Sequence, residues 1–404
     1  MFFNLDKRYF VIPLFSLLFI TLPVYSTMET ADPGAASVLA LVIPTLLFGL
    51  KYLKLQLKPY HITAILMWFL CMLVTIAGPF SAQTNLMQIV KYLAFVVFFI
   101  IVSTYTFTEK DIVFVAKGYV YLAIVIALLI ILSYLGGYQH VHEGVGESTY
   151  YLGRYSIGIT GLYKNPNYLA SFICVAAFVV LYKLKVSTMS FKMKLLHLTV
   201  FILFFVACFL TGTRIALVVL AISIIAVYGS ALRHIRMKGL ILPILLVFVL
   251  IYIFGSQIRD LMDLYLAGRD MFGDESRQEA WPMAFRFFYD NFLLGSGIDC
   301  WHHLSRGYNT MNNLHNVFLE FLLNQGIIGA ILLFFTLFYG CSRVKRTDRF
   351  FLIMLFLVTA IPISFQNGVI AVNFWRFIII NRLALNYSIY SKNGIRALFK
   401  TNIQ

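Results

Sequence analysis

The chain has 404 residues, of which 61% are hydrophobic and only 12% are charged. Soluble domains are about 45–50% apolar and about 25% charged, so this composition excludes an ordinary soluble domain and indicates a membrane protein. The formal net charge of +15 does not predict nucleic-acid binding, because the cytoplasmic loops of membrane proteins collect Lys and Arg.

Apolar runs long enough to cross a hydrocarbon core of about 30 Å recur along the whole chain. We count about twelve and predict an all-α fold, a polytopic transmembrane helix bundle that forms one membrane domain, residues 1–404. The first run lacks a small-x-small cleavage site, so we interpret it as a retained helix. The spans are centred near Leu18, Ile43, Trp68, Phe95, Val125, Val175, Leu203, Val219, Leu246, residues 321–335, Leu355 and Ile378.

Basic residues gather in four short loops, which fall on one side of the membrane when the spans alternate. The positive-inside rule makes that side cytoplasmic, and it predicts an inner-membrane protein with both termini in the cytoplasm. The four loops are residues 51–58, 183–194, 233–238 and 343–349.

The periplasmic face then holds the one long connection, residues 256–312. Connections beyond about 15 residues are usually functional or disordered, and this one is rich in aromatic residues rather than low in complexity. Apolar residues at helical spacing in 258–266 predict a short amphipathic helix at the membrane interface. We expect the chemistry of the protein to lie around this loop.

Two arginines stand on the outer face against the positive-inside trend. Arg214 follows a tight turn at 211–213, where it could reach lipid headgroups or, beside threonine hydroxyls, bind phosphate oxygens. Arg277 lies in a charged stretch of the long loop, which is either a solvated cluster or a second phosphate site oriented by Glu275 or Asp274.

His315 and Asn316 stand at the outer mouth of a long apolar run. A histidine there is either an interfacial cap or a general base, since its free pKa is close to working pH. Residues 325–329 carry two glycines and predict a flexible hinge within the same run.

A fourth outer-face motif surrounds Asn165-Pro166-Asn167, which is typical of a helix start. Arg154 and Lys164 are further outer-face cations beside it. His140, His142 and Glu143 lack a further ligand, so we predict no metal site. The five cysteines do not form a disulfide framework.

Together these pieces resemble the O-antigen ligase/polymerase superfamily of bacterial inner-membrane glycosyltransferases, the Wzy-type polymerases and WaaL-type ligases. The resemblance covers about residues 155–340, and each motif is degenerate although their order is fairly specific. The matching residues are 161–167, 211–214, Ser276-Arg277 with Trp281, 295–297, 314–316, Leu319-Glu320 and 326–329.

The resemblance implies a metal-independent transferase without a cofactor, whose donor is an undecaprenyl-diphosphate-linked glycan. It implies that Arg214 and Arg277 engage the diphosphate and that His315 is the catalytic base. The further candidates for substrate binding are Arg154, Lys164, Asn167, Glu275 and Asn316. The acceptor is a second lipid-linked glycan for a polymerase, or lipid A-core for a ligase. The Asn-Pro-Asn motif favours the polymerase. Membrane lipids and a chain-length regulator are the other partners expected.

Three other classes stay open. A transporter of lipid-linked anionic glycan would use charges within spans, for which Lys91 and Arg376 are candidates. A structural scaffold would use the outer arginines only as lipid contacts. A peptidoglycan-type polymerase would depend on Asp274 or Glu275 more than on His315.

Overall fold

The computed structural model describes residues 11–21, 42–47, 56–80, 86–135, 166–211, 213–232, 275–308, 314, 316–365 and 372–400. These residues form helices and turns without a strand, which confirms the all-α prediction. The span predicted near Leu246 and the interfacial helix predicted within 258–266 lie outside them.

The described helices are numbered α1 to α13 in chain order. They are α1 (Val11–Thr21), α2 (Pro59–Ala77), α3 (Leu86–Thr104), α4 (Glu109–Leu135), α5 (Pro166–Val186), α6 (Phe191–Leu210), α7 (Arg214–Leu232), α8 (Glu275–Asp290), α9 (Cys300–Tyr308), α10 (Val317–Phe338), α11 (Arg349–Ile363), α12 (Val372–Tyr390) and α13 (Gly394–Lys400).

Six of the described helices are long and apolar enough to cross a membrane: α2, α3, α4, α5, α6 and α10. Helices α1, α7 and α11 are also apolar but shorter. The chain is therefore a multi-pass membrane protein. The total of about twelve spans remains a prediction.

Helix α2 shows how lipid exposure and burial divide a span. Large apolar side chains are exposed in a single stripe, at positions spaced by three or four residues, while the opposite face packs along α10. An apolar stripe of this kind is unfavourable in water but suits lipid. The exposed residues are Ile62, Leu66, Phe69, Leu73 and Ile76.

The bundle has two distinct ends. At one end α2 begins and α3 and α12 end. There the Tyr60 hydroxyl donates a hydrogen bond to the Ser103 carbonyl oxygen, and the Asn386 side-chain nitrogen donates to the Tyr60 hydroxyl and to the same carbonyl. Nearby, Lys345 donates to the carbonyl of Lys392 at 2.6 Å. We call this the basic end, and define it by Lys58, Lys345 and Lys392. Clustering of these lysines at one end agrees with the loop charges that set the predicted orientation.

The opposite end, which we call the far end, gathers the first turns of α5, α7, α10 and α12. The Cys174 thiol of α5 lies 3.6 Å from the Ala216 carbonyl oxygen of α7. The guanidinium carbon of Arg376 in α12 lies 5.6 Å from the ring centre of Phe172 in α5. Phe321 and Phe374 join α10 to α12 with ring centres 5.6 Å apart.

Helix α12 is buried on nearly every side and is unusually polar for such a position. Arg382 is only 1% exposed, donates a 2.8 Å hydrogen bond to the Tyr339 carbonyl oxygen, and lies 3.5 Å from the ring centre of Tyr60. This cation–π contact compensates for part of the cost of burying the guanidinium. The buried polar residues of α12 are Asn373, Arg376, Asn381, Arg382, Asn386 and Ser388.

Helix α10 is broken at Gly326, whose φ of 62° and ψ of −165° are not helical. Segment 291–298, between α8 and α9, fills the break with backbone hydrogen bonds of 2.8–3.1 Å, including Ser296 to Leu323 and Ile327 to Phe292. The pairing satisfies backbone groups that the interrupted helix leaves open. The hinge predicted at 325–329 is therefore a break held in place by the long loop.

Candidate active site

Arg214 begins α7 at the far end, directly after the turn that closes α6. The Thr211 hydroxyl donates to the Cys208 carbonyl oxygen at 2.7 Å and ends α6, and the Thr213 carbonyl accepts from Ala216 as α7 starts. The tight turn predicted from the sequence is confirmed.

The Arg214 guanidinium is the notable feature of this end. Its Nε and one terminal nitrogen, Nη2, are buried, and neither has a hydrogen-bond partner among the described residues. A buried guanidinium with open donors is unfavourable unless an anion joins it. Arg214 is therefore suited to an anionic ligand.

The helix starts around Arg214 add to this preference. Because α5, α7, α10 and α12 all begin at the far end, the partial positive charge of each helix N-terminus points to the same region. Backbone amides at helix starts favour phosphate groups for the same reason. The helix starts therefore add to the preference of the far end for an anionic group.

The described part of the long loop consists of α8, α9 and the segment that fills the α10 break. Helix α8 packs on α10, and Phe80, just beyond α2, lies 6.2 Å from Phe287 between ring centres. Trp281 of α8 donates a 3.0 Å hydrogen bond from its indole nitrogen to the Leu314 carbonyl oxygen. Arg277 lies one helical turn before Trp281, and His315 follows Leu314, so the two candidates belong to segments that are in contact.

Asn316 caps the first turn of α10. Its side-chain oxygen accepts hydrogen bonds from the Phe318 amide at 3.2 Å and the Leu319 amide at 3.1 Å. The cap occupies the side-chain oxygen of Asn316, a residue predicted to bind substrate. Its side-chain amide nitrogen is left as the group that could contact a substrate. The cap also fixes where the chain enters α10, one residue after His315.

The structure describes the other sequence candidates unevenly. Glu275 and Arg277 lie in the first turn of α8, and Asn167 lies in the first turn of α5, but their side chains are outside the described part. Arg154, Lys164 and His315 lie outside the described residues altogether. Contacts join the Arg277 helix directly to the residue before His315, whereas the described contacts link the start of α7 to that pair through α5, α12 and α10.

Two groups at the far end were not singled out from the sequence. Asp299 adopts a left-handed backbone conformation with φ 58°, which is uncommon for a residue other than glycine. Burial raises the pKa of the Asp299 carboxyl, and the nearby cations His302, His303 and Lys91 oppose that rise. The only local signal was the neighbouring Gly295-Ser296-Gly297, which marked an irregular turn.

Cys300 is the second group. It is buried, and its thiol lies 3.2 Å from the Asn324 side-chain oxygen. Burial raises the pKa of the Cys300 thiol well above its usual range, so the thiolate is disfavoured. Cys300 is therefore a poor nucleophile, and all five cysteines are free.

Fold and site together describe a multi-pass membrane protein in which Arg214, at one end of the helix bundle, is suited to an anionic ligand. Within the described residues, no group of three or more His, Cys, Asp or Glu side chains could hold a metal ion. A family model described as O-antigen ligase matches residues 199–334, which confirms the resemblance to the O-antigen ligase/polymerase superfamily. The match runs from α6 through α10 and includes Arg214, Arg277 and His315. No curated protein matches the chain.

Proposed function

We propose that this protein is an inner-membrane glycosyltransferase that polymerises O-antigen repeat units carried on undecaprenyl diphosphate. The proposal places the far end in the periplasm and both termini in the cytoplasm. The observation that carries it is the Arg214 guanidinium, whose buried Nε and Nη2 have no partner among the described residues. Arg214 lies at the end of the bundle where four helices begin. The family match over residues 199–334 supports the same class.

The chemistry needs only positioned side chains, because the donor is already activated as a glycosyl diphosphate. His315 takes the proton from an acceptor hydroxyl, whose oxygen then attacks the anomeric carbon. The bond from that carbon to the diphosphate breaks, and the sugar inverts its configuration. Arg214 and Arg277 stabilise the negative charge that grows on the leaving diphosphate.

Each residue has a specific expectation in a deletion strain complemented with variants. Arg214→Ala and Arg277→Ala should each lower transfer by about 10²–10³-fold, the usual cost of removing one group that stabilises transition-state charge. His315→Ala should abolish polymer formation. Lys192→Ala, an exposed cation at the basic end, is the matched control and should leave glycan assembly unchanged.

A glycan gel separates polymerase from ligase. Lipid A-core that carries a single repeat unit in the deletion strain supports the polymerase. Unattached polymer that accumulates on the lipid carrier supports the ligase, for which the acceptor is lipid A-core. The Asn165-Pro166-Asn167 start of α5 is the feature that favours the polymerase.

Purified protein separates a transferase from a transporter. Vesicles with lipid-linked donor and acceptor on the same side should yield a longer glycan without movement of the donor across the bilayer. Movement without transfer, unaffected by His315→Ala but lost in Arg376→Ala, would favour the transporter.

A further inference from the structure

A cavity of about 230 Å³ opens at the basic end, on the opposite side of the bundle from the candidate active site. It lies between the start of α2, the connection from α3 to α4, and the end of α12 with the turn that follows. Its polar and charged lining residues are Lys58, Ser103, Thr106, Thr108, Glu109, Asn386, Ser391, Lys392 and Asn393, with Tyr105, Tyr387 and Tyr390 beside them.

The lining carries more positive than negative charge. Lys58 and Lys392 face one acidic residue, Glu109. The Lys58 ammonium lies 4.3 Å from the ring centre of Tyr390, and this contact holds the lysine over the cavity rather than out in solution. Lys345 donates to the Ser391 and Lys392 carbonyls, so it fixes the rim and adds a further cation beside it.

Asn386 forms part of the cavity wall and is 7% exposed. Its side-chain nitrogen lies 3.1 Å from the Ser103 carbonyl oxygen and 3.2 Å from the Tyr60 hydroxyl. A carbonyl oxygen can only accept, so this contact determines which end of the amide is nitrogen. The Asn386 Oδ1 is buried and has no partner among the described residues, so Asn386 shapes the wall through its nitrogen contacts and offers no acceptor to the cavity.

We propose that this cavity binds the headgroup of an anionic phospholipid of the phosphatidylglycerol type. The lipid phosphate lies between Lys58 and Lys392, and the glycerol hydroxyls donate to the Glu109 carboxylate. The acyl chains run along the apolar flanks of the bundle. Basic pockets between membrane helices are known to favour such headgroups.

The size and charge of the cavity argue against other occupants. At about 230 Å³ it is smaller than the roughly 300–1,000 Å³ of typical ligand pockets, so it accommodates a headgroup rather than an oligosaccharide. Two lysines and one glutamate line the cavity and Lys345 lies beside its rim, so positive charge is in excess, which anionic phosphatidylglycerol offsets and zwitterionic phosphatidylethanolamine does not. The position at the helix ends places the cavity at headgroup level, where lipid is abundant.

The test measures lipid affinity of the purified, full-length protein by native mass spectrometry. Dioleoyl phosphatidylglycerol should bind at least about tenfold more tightly than dioleoyl phosphatidylcholine or phosphatidylethanolamine. Lys58→Gln with Lys392→Gln should lower phosphatidylglycerol affinity by about tenfold or more. The control, Lys192→Gln with Lys194→Gln, removes the same charge from exposed lysines near the same end and should change the affinity less than about twofold.

Three results would overturn the proposal: equal weakening in the control, equal affinity for phosphatidylethanolamine, or displacement of the lipid by soluble glycerol phosphate at the same concentration. The last would identify a site for free phosphate compounds. If the double variant does not fold, Thr106→Glu adds a repelling charge on the exposed rim without removing a contact. It should weaken phosphatidylglycerol binding to a similar degree, and unchanged binding would contradict the site.

Discussion

The indole nitrogen of Trp281 donates a 3.0 Å hydrogen bond to the carbonyl oxygen of Leu314, which is 33 residues further along the chain. Trp281 is one turn after Arg277 on α8, and Leu314 directly precedes His315. The bond therefore sets the spacing between the segment that carries a proposed diphosphate ligand and the segment that carries the proposed base.

Trp281→Phe tests this relationship, because it keeps an aromatic ring but removes the donor. We expect the transfer rate to fall by at least about tenfold, since misplacement of reacting groups by about 1 Å can cost about 10²-fold. The loss of unfolding free energy should be only about 1 kcal/mol, the usual net value of one hydrogen bond. The measurements are glycan chain extension by purified protein and thermal unfolding in detergent.

Trp301→Phe is the matched control for this prediction. Trp301 belongs to the same apolar cluster as Leu314, but its indole nitrogen is buried without a partner among the described residues. The two substitutions remove the same atoms, but only one breaks a hydrogen bond. Equal losses of transfer in the two variants would mean that the ring volume matters and the bond to Leu314 does not.

Gly326→Ala should destabilise the protein by about 1–3 kcal/mol, the range expected for a strained backbone conformation. Gly326 has φ 62°, and a Cβ there would lie 2.4 Å from the Leu293 carbonyl oxygen in the segment that fills the α10 break. Gly229→Ala is the control, since a Cβ there meets only a methyl group at 3.8 Å within α7. It should be neutral or stabilising by up to about 1 kcal/mol. Thermal unfolding in detergent measures both.

Tyr60 offers a way to separate two contributions at the basic end. Tyr60→Phe removes the hydroxyl that donates to Ser103 and accepts from Asn386 but keeps the ring over Arg382, so we expect a loss of about 1–2 kcal/mol. Tyr60→Leu also removes the cation–π contact with a buried guanidinium, which adds about 2 kcal/mol. Unfolding that is equally affected by both variants would contradict a stabilising contact between Arg382 and the ring.

Asp299→Asn should stabilise the protein at neutral pH. Burial raises the pKa of Asp299 in the folded state, so its contribution is fully present below the unfolded pKa of about 3.9 and is lost as pH rises through the folded pKa. Asparagine cannot ionise, and it also tolerates the left-handed conformation at φ 58°. Melting temperature measured from pH 4 to pH 8 should fall less steeply in the variant. Parallel pH curves for the two proteins would refute this assignment.

Local signals predicted several elements well. Pro166 begins α5 and Arg214 begins α7 after a tight turn, because each depends on residues only a few positions apart. The cap of α10 was not predicted at Asn316, because His315 is the residue that the sequence suggests for that role. Helices α8 and α9 were not predicted within the long loop. Their sequences are shorter and more polar than a span, so a search for long apolar runs passes over them, and both pack on α10.

Placement in a membrane was determined by the sequence itself, since hydropathy sums over residues that need no partner. Only the tertiary structure decided which polar groups meet inside the bundle. The Asn386 amide reaches the Tyr60 hydroxyl across 326 positions, and the break of α10 at Gly326 is held by segment 291–298. Pairings of this kind carry no local signal, because a buried hydrogen bond depends on distance in space and not on separation along the chain.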